Sequence, residues 1–287
     1  MTGVTEKDGF MWGELREGVN RAIDVKGSIH DDATAQKIGM RGGTVAGTVH
    51  LDLFAPIIQK IFGKAWFEKG TLSMFYTYAT LNKEKVRAVV EKPQKDADDV
   101  LLEARVEMAD GTLSERGTVS MGSPDGKPYL QTIEFKQASP EDIRILSDYR
   151  LGDKTGPKDV MSKKEAVKEA LPYCEDTIDW YDGDSPWGEP IVPLSHLWGL
   201  MHVADNHAPK AVPFFGATEF AMINGPVRVG VPYKAVNEII CIGAGKKTEL
   251  FWVDGRLYEE DGTTLVATMR HLNRFMKAGS PLYPELG

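Results

Sequence analysis

A histidine lies among carboxylates in the segment DVKGSIHDD, with Asp24 six residues before His30 and Asp31 directly after it. These residue types can share acid–base work on one water molecule, the imidazole taking a proton while a carboxyl gives or orients another. A glycine-rich stretch follows, MRGGTVAG (residues 40–47), and leads into a long apolar run. If that run is helical, Gly43 and Gly47 stand near its N-terminus. There, unpaired backbone N–H groups can stabilise a developing oxyanion, and glycine lets a ligand approach the backbone. A plainer reading exists for the same residues. His30-Asp31-Asp32 also suits a helix cap with a solvated histidine, and the glycines also suit a tight turn with close helix packing.

The elements that must hold these residues follow from periodicity. ATAQKIG, after Asp31 and Asp32, reads as a short helix with acids at its start and Gly39 as its stop. Residues 44–62 predict a longer helix whose apolar positions, from Val45 and Val49 to Ile61 and Phe62, cover most of its circumference. It should therefore be buried on several sides, with an interruption at Pro56. After Gly70 the apolar period falls to two, through Val86, Ala88 and Val90 and then Leu102, Ala104, Val106 and Met108. A turn at Asp110-Gly111 sends the chain back through Thr118 to Met121.

The pattern then recurs. LLEARVEMADGTLSERGTVSM (101–121) is echoed by WVDGRLYEEDGTTLVATMRHL (252–272), with the Asp-Gly turns 151 residues apart (261 against 110). Gly70–Tyr78 is matched to Gly225–Tyr233 at an offset of 155, and His50 to His196 at 146. A duplicated module of one buried helix and several antiparallel strands accounts for all three. The units are expected at 1–138 and 173–287, joined by 139–172, a polar linker with one amphipathic helix, SKKEAVKEAL. A long antiparallel sheet wrapped round a buried helix is the hotdog architecture. Two in one chain make a double hotdog of the α+β class, its sheets joined edge to edge so that exposed strand edges are removed. A generic two-domain α+β protein is the blander alternative.

Composition excludes other classes. The 287 residues are 42% hydrophobic and 26% charged, the balance of an ordinary globular chain. A net charge of −8 argues against nucleic acid as a partner, which would need a basic face. The two cysteines, Cys174 and Cys241, have no metal-like or redox-like spacing and suit a reducing compartment. The N-terminal MTGVTEKDGFMWGEL lacks the basic-then-apolar order of a secretory signal, and no apolar run reaches the roughly 18 residues that span a bilayer. A cytoplasmic protein without a membrane partner is the expectation, and a further homodimer is compatible with the repeat.

The segment from Asp24 to His50 resembles the MaoC-like, or (R)-specific, enoyl-thioester hydratase and dehydratase family. Ser28-Ile29-His30 followed by Asp32 and Ala35 is similar to that family's Pro-Ile-His and the helix after it. Gly39-Met40 stands where the family has Gly-Phe, and Val45-Ala46-Gly47 where it has Ala-His-Gly. The resemblance covers about thirty residues. It implies a hydro-lyase that adds or removes water across a 2-enoyl thioester carried on coenzyme A or an acyl carrier protein. No cofactor or metal is implied. His30 and Asp24 would be the catalytic pair and Gly47 and Gly43 the oxyanion amides, with Asp31 as the fallback carboxylate. The family's Asp lies five residues before its His, a place held here by Val25, and Lys26-Gly27-Ser28 replaces its Asn-Pro region. The second unit has no histidine in the matching loop, IDWYDGDSPWG, which offers Asp179, Asp182 and Asp184. One site per chain is therefore expected, with the second unit shaping the acyl pocket.

Two other functions remain open. A hotdog thioesterase would recruit Asp52 or Asp24 to activate water on the thioester carbonyl, and a non-catalytic protein would use the groove for a hydrophobic ligand. Among the other histidines, His50 reads as a satisfied core residue, and the spacings of His196, His202 and His207 do not place ligands on one helical face. His271 shows no partner in sequence. Phe75, Tyr76, Tyr78 and Tyr233 are expected to fill the core between the units or to line a pocket. Arg41, Lys83, Lys85 and Arg87 could meet coenzyme A phosphates or form a solvated strand face.

Overall fold

The computed structural model describes residues 3–94, 98–204 and 210–286. Three short strands lead in, β1 (Thr5–Lys7), β2 (Phe10–Trp12) and β3 (Arg16–Glu17), followed by α1 (Asp32–Lys37). A 3-10 helix, Gly47–Phe54, runs directly into α2 (Ala55–Phe62), and α3 (Ala65–Lys69) follows. Then come β4 (Gly70–Tyr76), β5 (Lys85–Glu91), β6 (Val100–Met108) and β7 (Leu113–Met121). The second half contains β8 (Lys154–Met161), α4 (Lys164–Ala170), α5 (Leu194–Met201), β9 (Pro213–Met222), β10 (Pro232–Ala244), β11 (Thr248–Glu259) and β12 (Leu265–Met276).

All the strands join one antiparallel sheet in the order β1-β2-β5-β6-β7-β4-β9-β12-β11-β10-β8, with β3 also on β5. The two halves are mirrored in this order about the β4–β9 pair, where Thr71 faces Ala221, Ser73 faces Glu219 and Phe75 faces Ala217. Each half-sheet curls round its own central helix. Leu51, Phe54, Ile57 and Ile58 of the first helical run and Leu194 and Leu197 of α5 are buried in one continuous core. Side chains of this kind contribute about 1.5–3 kcal/mol each on full burial, which outweighs the weak helix preference of Thr48 and Val49.

The helix over 44–62 is therefore present, but its break differs from the expectation. Pro56 is the second residue of α2, in the first α turn, where proline is tolerated. The chain passes from 3-10 to α winding at Phe54–Ala55 without a gap. Residues 154–161, read from sequence as linker, form edge strand β8 on β10. Its charged side chains and Pro157 hide the alternation that would mark a central strand, and both are tolerated at an edge.

The repeat also has a sharper register than the sequence match. The central helices begin at 47 and 194, and the isolated bridges Thr44–Leu81 and Ile191–Arg228 are likewise 147 residues apart at both ends. The Asp-Gly turns do correspond, as the β6–β7 and β11–β12 connections. Gly225–Tyr233, however, corresponds to the loop after β4 and the start of β5, not to β4 itself. At an offset of 147 His50 corresponds to Leu197, and His196 to Val49.

One glycine shows how tightly the sheet bends. A Cβ on Gly117 in β7 would lie 1.8 Å from the Ser73 carbonyl oxygen of β4. Backbone cannot yield as a flexible side chain would, so Gly117→Ala is expected to cost about 3 kcal/mol of stability. Urea unfolding checks this, and a midpoint equal to the parent's would contradict the close approach.

Candidate active site

A cavity of about 400 Å³ opens between the halves, bounded by residues 28–30, Met40, 44–47, His50, 76–80 and 114–115 of the first and by Trp198, residues 213–215 and Asn273 of the second. Its polar wall comes from three pieces of chain. His30 ends the loop before α1, His50 lies in the central 3-10 helix, and Glu115 lies on β7 opposite Tyr76 of β4.

His30 is half-buried, and its Nδ1 lies 2.7 Å from the Thr44 carbonyl oxygen. A carbonyl only accepts, so Nδ1 carries the proton, and in the neutral ring Nε2 is left as a base. The loop that carries His30 is pinned from behind. Asn20 Nδ2 donates to the His30 carbonyl oxygen at 2.8 Å, and the Thr44 N–H donates to the Ile29 carbonyl at 2.9 Å.

His50 is buried, as a core histidine should be, and both ring nitrogens have partners. Nδ1 meets both carboxylate oxygens of Glu175, at 2.8 and 2.7 Å, and Nε2 lies 2.6 Å from Thr80 Oγ1. Burial alone would lower the His50 pKa, but the charge and hydrogen bond of Glu175 reverse this and raise it to about 9. His50 is therefore protonated at neutral pH. Glu115 is 1% exposed, and neither carboxyl oxygen has a hydrogen-bond partner. Burial pushes it up to about 8, the charged His50 pulling down and Glu175 pushing up, so Glu115 is a neutral acid at pH 7. The helix that holds His50 begins at Gly47, whose amide is among those a helix leaves without an internal acceptor.

The remaining sequence candidates divide. Gly47 lines the cavity, and a Cβ there would press on the Tyr76 ring at 2.7 Å, so glycine is required for this packing. Gly43 does not line the cavity. Its N–H donates to Asp32 Oδ1 at 2.7 Å, and a Cβ would fall 2.2 Å from the His30 carbonyl oxygen, so it serves the shape of the loop and not an oxyanion. Asp31 caps α1, accepting from the Thr34 N–H and hydroxyl and from Lys26 Nζ at 2.9 Å. Those partners hold its carboxyl below the usual range, and it stands outside the cavity lining. Asp24 is exposed. Two successive turns, closed by the Val25 N–H on the Ala22 carbonyl and the Ser28 N–H on the Val25 carbonyl, leave it on the outer side of the loop, away from the lining. The structure thus brings together His30 and Gly47 but not Asp24, Asp31 or Gly43.

Asp52 is also fully buried, but it faces the other central helix, accepting from the Ser195 N–H at 2.9 Å. Burial raises it to about 7. Tyr76 and Tyr78 line the cavity, whereas Phe75 packs on Tyr129 and the buried Tyr233 hydroxyl accepts from the Arg228 N–H. Arg41 is bound by Glu84 and Arg87 by Glu107. His207, with Asp205 beside it, lies outside the described residues. Among the described residues no group of three or more His, Cys, Asp or Glu side chains is placed to hold a metal ion. None of their helices is long and apolar enough to cross a membrane.

Sequence reasoning missed Glu175 and Glu115. Glu175 sits in an acid-rich stretch with no local signal. Glu115 did have one, because it shares a face of β7 with Gly117, Val119 and Met121, all buried.

No protein-family model matches the sequence, and no curated protein matches it. Solved structures do share its fold. A MaoC domain protein named as a dehydratase, from Chloroflexus aurantiacus J-10-fl, superposes with a TM-score of 0.58 at 11% identity, over 96% of this chain and 95% of that one. A conserved protein from Mycobacterium tuberculosis, described as having a double hotdog fold, gives 0.58 at 13% identity over 96% of each chain. A MaoC-like dehydratase gives 0.51 at 10% identity, over 92% and 97%. The chain has the double hotdog fold of MaoC-like dehydratase structures, as its strand and helix pattern led us to expect.

The buried acids and His50 make stability fall with rising pH. Asp52 moves from 3.8 to about 7, Glu115 from 4.5 to about 8 and His50 from 6.5 to about 9. Within each interval the folded state keeps a proton that the unfolded chain has released, so raising pH favours unfolding. The urea midpoint should drop steadily from about pH 5 to about pH 9, and Glu115→Gln should flatten the part below about pH 8. A midpoint that rises over this range would contradict the assignment of these three groups.

Proposed function

We propose that the chain is a hydro-lyase acting on the double bond of a 2-enoyl thioester. The observation that carries this reading is the coexistence, in one cavity, of a buried carboxyl group with no hydrogen-bond partner, which burial pushes up to about 8, and a histidine whose Nε2 is left as a base. Adding water to such a bond needs both, an acid for the α carbon and a base for the water. In that direction His30 Nε2 takes a proton from water, and the oxygen left behind bonds to the β carbon. The electrons of the double bond shift towards the thioester carbonyl, whose oxygen gains negative charge beside the Gly47 amide. The α carbon then takes the Glu115 proton. One C–O and one C–H bond have formed, and His30 stands protonated and Glu115 ionised until solvent exchanges a proton between them.

The carboxyl role implied for Asp24 by the family resemblance passes in this reading to Glu115. Glu115 is also better suited to donating a proton than to hydrolysing the thioester, for which an ionised carboxylate would be wanted. Asp52, considered for that hydrolysis, faces α5 and not the cavity.

Decisive measurements are the loss of enoyl absorbance and the release of free thiol, followed in parallel on short, long and aromatic 2-enoyl-CoAs. Enoyl loss without thiol is expected, with His30→Asn and Glu115→Gln each lowering kcat by about 10²–10⁴-fold while the circular dichroism spectrum is kept. Thiol release would make the protein a thioesterase. Binding without turnover, unaltered by His30→Asn, would make it a ligand-binding hotdog, and full turnover in both variants would remove these residues from the mechanism.

A further inference from the structure

The end of the cavity built by the second half is apolar in outline but not in chemistry. Phe214 and Phe215 form its walls, yet Trp198 and Asn273 line it beside them. Trp198 Nε1 and Asn273 Nδ2 are both buried, and neither has a hydrogen-bond partner. Indole N–H is a donor and nothing else. A third donor stands behind these two. Tyr76 donates its hydroxyl hydrogen to Thr218 Oγ1 at 2.8 Å, so the Thr218 hydrogen is free to point at His271 Nδ1, also 2.8 Å away. That chain leaves the proton of the neutral His271 ring on the buried Nε2, and the Asn273 side chain acts on the ring as a hydrogen-bond partner. Burial, with His202 near by, keeps His271 well below its ordinary value, so the ring is neutral.

These donors are neighbours. His271 and Asn273 are two residues apart on β12, and the His271 ring centroid lies 5.8 Å from that of Trp198 and 4.6 Å from that of Phe215. Buried N–H groups left unmatched are costly and uncommon, and two of them on residues that line one end of a cavity, Trp198 and Asn273, call for an acceptor. A plain hydrocarbon tail would fill the space and leave both unmatched. No carboxylate is required either, because His271 is neutral and no Lys or Arg lines the cavity.

We infer that this end of the cavity receives a neutral oxygen acceptor, a carbonyl or hydroxyl carried on the distal part of the acyl group. The substrate class is then an oxygenated acyl thioester and not a simple fatty acyl one. In its thioester part this inference rests on the function proposed above. The donor cluster itself does not depend on it.

Binding separates the two. Saturated decanoyl-CoA, which cannot be hydrated, and its isomers with a ketone at successive distal carbons are titrated calorimetrically, together with aliphatic ketones and the matching hydrocarbons free of any thioester. At least one oxo-acyl isomer should bind roughly tenfold or more tightly than decanoyl-CoA, because a site built for a hydrogen bond discriminates strongly against a ligand lacking it. Trp198→Phe and Asn273→Leu should each bring that ratio towards one. Should either variant fail to fold, the ratio measured on the parent protein still decides. Equal affinity for every oxo isomer and the plain chain overturns the inference, as does a preference that survives in both variants. If no CoA ester binds but ketones bind better than hydrocarbons, the thioester reading falls and the acceptor site stands. If ketones and oxo-acyl esters all fail to bind, the acceptor site falls whatever turnover is seen.

Discussion

Once their own half-sheets have formed, β4 and β9 each present a row of unpaired N–H and C=O groups, and antiparallel pairing between them satisfies both rows at once. This seam determines more than the sheet. It brings the two central helices side by side, so that Asp52 of one can accept from the Ser195 N–H of the other. It also places Tyr76, at the end of β4, against Thr218 of β9. The cavity lies along the same line, with the first half supplying His30, His50 and Glu115 and the second supplying Trp198, Phe214, Phe215 and Asn273. Either half alone would own only one wall.

The halves are alike in backbone and unlike in chemistry. Where the first has His50, the corresponding position of the second is Leu197, 1% exposed in the apolar core. The ion pair of His50 with Glu175 joins the first central helix to the segment that precedes α5, across the junction of the repeat. Buried ions of this kind are rarely the cheapest way to fill a core, and a hydrophobic pair would often be as stable. What the pair does provide is a fixed charge next to the cavity, which steadies the Thr80 hydroxyl and influences Glu115. Glu115 stays neutral because it lies too deep to ionise readily and has no basic partner of its own.

The loop from Asn20 to Gly47 shows how the same residues can suit two readings. Asp31 and Gly43, which looked able to touch substrate, instead build the loop that aims His30, through the α1 cap and the Asp32–Gly43 hydrogen bond. Asp31 does cap α1, while His30 lines the cavity. Their difference is one of direction, since Asp31 turns towards Lys26 and Thr34 while His30 turns inwards.

Periodicity by itself was enough for the architecture. The shift from a helical to a two-residue period, repeated after matching Asp-Gly turns, marks a buried helix followed by antiparallel strands in each half, because side-chain burial imposes those periods directly. His30 and Gly47 were singled out by residue type and family resemblance, and both line the cavity, placed there by one loop and one helix start. Edge strand β8 was not legible, since an edge need not alternate. The offset of 147 emerged only from the paired bridges, because local likeness tolerates slips of a few residues where backbone pairing does not. Glu175 meets His50 across 125 residues of sequence, and Glu115 reaches the cavity opposite Tyr76 across a strand pair. Such proximity, and the burial that raises the Glu115 carboxyl, comes from the closing of the sheet and has no counterpart in the order of residues along the chain.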